Sequence, residues 1–148
     1  MLKSVSACIL EVFNMKVFLG GTCAGRNWRD EIIPQLQCNY YNPIVKNWSE
    51  ADRLREVHER QTADYVLYVL TSDMAGVYSI AEVIDDSNKR PMKTILCVLY
   101  DGFGPKMSHS LRAVEKLAAE NGARVFESLD EVVRFLNTNQ LVEDCNKW

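Results

Sequence analysis

The chain has 148 residues, enough for one domain with a substantial core, because about two-thirds of the unfolded surface is buried at this size. Its 47% hydrophobic and 25% charged residues are those of an ordinary globular protein, and a net charge of −3 gives no electrostatic basis for binding nucleic acid or a membrane surface. Five scattered cysteines without a C-x-x-C pair, and only two histidines, argue against a zinc site or a disulfide framework and point to free thiols in a reducing, cytoplasmic setting.

Residues 1–14 hold an apolar run broken early by Glu11, too short for a signal peptide, and no stretch approaches the ~20 apolar residues of a membrane span. They read as an extension ahead of a domain covering residues 15–148, or equally as an added strand or a short helix against it. Residues 15–19 predict the first strand and residues 20–25, Gly-Gly-Thr-Cys-Ala-Gly, the loop after it. Residues 26–36 place Trp28, Ile32, Ile33 and Leu36 on one helical face, with Pro34 predicting an early end or a kink. Asn39 to Asn42 close a second strand before Pro43. Residues 49–62 are charged and helical, with Ser49 or Asp52 as N-cap.

Residues 65–70, Tyr-Val-Leu-Tyr-Val-Leu, predict a buried third strand, then a polar loop with Asp73 and Gly76 and a helix carrying Glu82. Residues 91–100 predict a fourth strand, 108–121 a helix stopped by Gly122, and 123–126 a short fifth strand. Ser128 with Glu131 forms a capping box for a final helix through Leu136. Near-continuous apolar runs alternating with helices imply an α/β fold: a single doubly wound domain whose five-stranded parallel sheet takes the flavodoxin-like order 2-1-3-4-5.

Ligands of such sheets bind at the carboxyl ends of the strands, so the junction from Asp64 to Glu82, with Asp73 between, is the expected active site. Each acid also has a plain structural role open to it. Asp64 can cap the preceding helix or start the strand, Asp73 can build the turn with Gly76, and Glu82 can be an exposed first-turn glutamate. Glu82, however, sits among Val77, Ile80, Ala81, Val83 and Ile84, and a carboxylate facing protein needs a partner or a task. The Gly20–Gly25 loop could cradle an anion or a sugar, with Arg26 closing over a phosphate, or be only a tight turn.

The Gly20-Gly21-Thr22 loop, Asn42-Pro43, the charged helix, Ala63-Asp64 before an apolar strand and Tyr78-x-x-x-Glu82 together resemble the nucleoside 2-deoxyribosyltransferase-like family over residues 15–100. The resemblance implies that Glu82 is a nucleophile, that Asp64 and Asp73 handle the base and orient the sugar, and that Gly20, Gly21 and Thr22 line a ribose pocket. Asn42, Gly76 and Tyr78 belong to the same matched stretch and are carried as substrate-binding candidates. It also implies a homo-oligomer acting on a small-molecule nucleoside or nucleotide. Where the family reads Glu-Leu-Gly this chain reads Glu82-Val83-Ile84, so larger side chains must fit between helix and sheet.

The implied chemistry is cleavage of an N-glycosidic bond through an oxocarbenium-like state trapped by a carboxylate, which requires neither metal nor redox cofactor. Transfer of deoxyribose between nucleobases is the leading expectation. Two others stand beside it: hydrolysis of 2'-deoxynucleoside 5'-monophosphates, motivated by Thr22, Gly25 and Arg26, and a non-catalytic nucleotide-binding module.

Overall fold

The computed structural model describes residues 15–139, so the extension at residues 1–14 lies outside the described residues. Five parallel strands, β1 (Lys16–Gly21), β2 (Asn39–Tyr41), β3 (Tyr65–Leu70), β4 (Thr94–Val98) and β5 (Arg124–Phe126), form one sheet in the order β2-β1-β3-β4-β5, as the sequence predicts. Five helices connect or flank them: α1 (Trp28–Ile32), α2 (Glu50–Thr62), α3 (Tyr78–Lys89), α4 (Pro105–Glu120) and α5 (Leu129–Arg134). No helix among the described residues is long and apolar enough to cross a membrane.

Alternation along the strands feeds two cores. Tyr65, Leu67 and Val69 of β3 join Val17, Leu19 and Ile95 beneath Trp28 and Ile32 of α1 and Val132 of α5. Val66, Tyr68 and Leu70 point the other way, to Phe18, Leu96, Val83 of α3 and Leu111 of α4. All six residues of β3 are buried, which explains an apolar run without polar interruption in a strand covered on both faces. Val83 is fully buried and Ile84 packs at the edge of the same core, so the bulk at the Glu-Val-Ile positions is absorbed by the helix–sheet interface.

Several boundaries differ from expectation. β1 runs on through Gly20 and Gly21, which the sequence assigns to a loop, because both pair with β3, opposite Tyr68 and Val69. Pro34 ends α1 as expected, and the chain continues as a 3₁₀ turn over Ile33–Gln35. A second 3₁₀ turn at Pro91–Lys93 delays β4 to Thr94, and the last helix ends in a π turn over Phe135–Asn139. α4 starts three residues early, with Pro105 at the first helical position, where its missing N–H costs nothing. The Ser49 and Ser128 capping boxes both form.

Candidate active site

β1 ends in a conformation only glycine tolerates. Gly21 has φ of +111°, and a Cβ there would lie 2.1 Å from the Val69 carbonyl oxygen. The loop that follows is braced from below. The Trp28 indole N–H and Arg29 Nη1 both donate to the Thr22 carbonyl, at 2.9 and 2.8 Å, and Arg29 Nε donates to the Leu19 carbonyl at 3.0 Å. Arg29 is only 3% exposed, and burial lowers its pKa from the usual arginine value. The Thr22 hydroxyl accepts the Thr71 N–H at 3.0 Å, tying the ends of β1 and β3 together.

A cleft of about 430 Å³ opens over this end of β1, on the face covered by α2 and α3. Gly20 and Gly21 form its floor, Pro43, Ile44, Val45 and Trp48 of the β2–α2 loop one wall, and Tyr78, Ser79 and Glu82 of α3 the other. Tyr78, Ser79 and Glu82 share a helix face through i, i+3 and i+4 spacing. Glu56, on α2, is the second carboxyl of the cleft. A smaller hollow of about 240 Å³ adjoins through Gly21, Cys23 and Tyr78 and reaches Thr22 and Gly76.

The Glu82 side chain is 13% exposed, and its nearest cation is Arg60, with Nη1 3.5 Å from Oε2. Burial pushes its pKa up to about 7. Arg60 pulls the other way, and the charges of Glu56 and Asp86 add to the rise. Behind it Asp86, fully buried, accepts from Arg60 Nε at 2.9 Å, Arg60 Nη2 at 3.2 Å, the Tyr68 hydroxyl at 2.5 Å and Arg90 Nη2. Burial opposes ionisation of Asp86, yet the hydrogen bonds from Arg60, Tyr68 and Arg90 outweigh it and hold its carboxyl below the usual carboxylate range.

The three acids expected at one junction are therefore divided. Glu82 faces the cleft. Asp64 precedes β3 and stands at the opposite edge of the sheet, about 20 Å of strand away. There its carboxylate accepts the Lys16 N–H at 2.8 Å and closes the start of the β1–β3 ladder. Asp73 lies at the correct edge but faces the β1–α1 loop, accepting the Arg26 N–H at 2.9 Å, with Gly25 pressed against it at φ of +70°.

The other candidates divide similarly. Gly20, Gly21 and Tyr78 line the cleft, and Thr22 and Gly76 the adjoining hollow. The Asn42 side chain instead accepts the Ile44 N–H at 3.2 Å and shapes the β2–α2 loop. Arg26 turns away to a bidentate pair with Glu31, at 2.7 and 2.8 Å, and lines a separate cleft beside Tyr100 and Arg112. Gly25 backs onto Asp73 rather than lining the Glu82 cleft.

Sequence reasoning passed over Arg29, Glu56, Arg60 and Asp86. A signal existed for three of them. Glu56 and Arg60 are one turn apart on α2, and Asp86 shares the phase of Val83 and Ser87, the buried stripe of α3. Among the described residues no three His, Cys, Asp or Glu side chains gather as a metal site would require. No protein-family model matches this chain, and no curated protein matches it.

Proposed function

We propose that this chain cleaves the N-glycosidic bond of 2'-deoxynucleosides and passes the deoxyribosyl group to a second nucleobase. The observation that carries the reading is the Glu82 carboxyl, nearly buried, beside the glycine floor of an apolar-walled cleft at the carboxyl edge of the sheet. The Glu82 carboxylate attacks C1' as the C1'–N bond breaks and its electron pair leaves with the base, giving a glycosyl ester. Nitrogen of an incoming base then attacks C1' and releases Glu82. Glu56, the other carboxyl in the cleft, is the group that exchanges the proton with departing and arriving bases. Trp48 and Ile44 supply the apolar wall for a base.

The surroundings favour an unphosphorylated sugar. Arg26 is paired with Glu31, and Arg29 donates to the Leu19 and Thr22 carbonyls. The cleft thus presents the carboxyls of Glu56 and Glu82, while Arg29 in its lining is engaged with backbone carbonyls. The homo-oligomer implied by the family resemblance belongs to the same reading, with Val77 and Tyr78, 72% and 73% exposed beside the cleft, as apolar surface for a neighbouring copy.

The test is a panel of 2'-deoxynucleosides and their 5'-monophosphates, each with an acceptor base, followed chromatographically. Base exchange is expected with the unphosphorylated donors, with kcat/KM rising as pH rises through about 7, where Glu82 ionises. Glu82→Gln should lose activity by at least about a thousandfold while donors still raise the melting temperature. Nucleoside stabilisation without turnover would leave only a binding module, and a preference for phosphorylated donors would refute the unphosphorylated-sugar assignment. A monomer in sedimentation of the same preparation would remove the oligomer.

A further inference from the structure

Arg60 has three nitrogens and divides them unequally. Nε and Nη2 are committed to the buried Asp86, at 2.9 and 3.2 Å, and Nη2 also reaches Asp85 at 3.3 Å. Asp86 cannot turn away from this fork, because the Tyr68 hydroxyl and Arg90 hold the same carboxylate from β3 and from just past the end of α3. Nη1 is left facing Glu82 across 3.5 Å, with no bidentate bond. A forked arginine–carboxylate pair would cap both oxygens of a nucleophile. A cation held one step further off supports the ionised form and leaves the lone pairs free.

We propose that Arg60 is a positioning residue, locked by Asp86 at a distance that favours the ionised Glu82 carboxylate without capping it. Its chemical meaning rests on Glu82 as the nucleophile. Apart from Arg60, the influences that act most strongly on Glu82 work against the ion. Glu56 faces it from α2, Asp86 from its own helix, the Tyr68 phenol lies behind on β3, and burial favours the protonated acid. Arg29 also lines the cleft, but the ion pair with Glu82 is made by Arg60. Arg60 is thus the cation that counters them.

The experiment is an NMR titration of the labelled Glu82 carboxyl in the full chain, which needs no turnover and so fails or succeeds independently of the proposed activity. The wild-type midpoint is expected at about 7. Arg60→Met should raise it by about one unit or more, and move the ascending limb of kcat/KM by the same amount, about fivefold in rate at pH 7 and about tenfold well below it. Arg60→Lys, which keeps a charge, should restore a midpoint near the wild-type value. Should Arg60→Met not fold, Arg60→Met/Asp86→Asn leaves no buried carboxylate unpaired, and its midpoint is compared with that of Asp86→Asn alone, since the Asp86 charge itself raises Glu82. A Glu82 midpoint unchanged in the cation-less variants overturns the proposal.

Discussion

Asp86 shows how much a single side chain can be asked to hold. It is fully buried, and three donors from three elements converge on it: Arg60 from α2, Tyr68 from β3 and Arg90 just past α3. Removing one partner of a buried charge cluster leaves the others desolvated and unpaired, so Asp86→Ala should cost about 3–5 kcal/mol in urea unfolding. Its depressed pKa fixes the pH dependence. The contribution is fully present above the unfolded value, about 3.9, and is lost as pH falls through the folded one. Wild type should therefore lose stability on acidification below about pH 4 more steeply than Asp86→Ala. Glu82 has the opposite sign, since its raised pKa makes it less favourable to folding as pH climbs from the unfolded value towards 7. Glu82 was legible as a glutamate inside an apolar stretch. Asp86 was legible only through helix phase: Asp85 beside it is the same residue type, and the phase of Val83 and Ser87 tells which one turns inward.

At the level of the elements, β1 and β3 set the site between them. The run Tyr65 to Leu70 announced a buried strand, but its two flanking aspartates read as one cluster because they are close in sequence. Chain direction separates them: an acid before a strand and an acid after it stand at opposite edges of the sheet, and only the later edge carries the cleft. The glycines misled differently. A Gly-Gly pair reads as a turn, whereas Gly20 and Gly21 complete a ladder whose last residue has positive φ. Close approach, not a turn, is what they serve. Gly21→Ala would force a Cβ to 2.1 Å from Val69 oxygen, so a loss of about 3 kcal/mol or more in thermal unfolding is expected, together with loss of cleft geometry. An unchanged melting temperature would mean that β1 can part from β3 at no cost.

Across the whole molecule, the strand order was legible because five apolar runs separated by helices leave few parallel arrangements. The side on which the cleft opens was not, since that depends on which alternate residues of β3 meet α1 and α5 and which meet α3 and α4. Both loops at the rim leave from the adjacent strands β1 and β3; Thr71 and Thr22 join them at the base, and further out the Arg26 amide bonds the Asp73 carboxylate. That bond has a kinetic consequence. An amide in an exposed loop ordinarily trades its proton for deuterium with little hindrance, but Arg26 can do so only when the two loops separate. Its exchange rate therefore clocks the opening of the rim, separately from global unfolding. In Asp73→Ala that rate should rise about tenfold or more while β3 amides such as Leu67 keep theirs, and equal acceleration of both would mean that the rim and the sheet open as one unit.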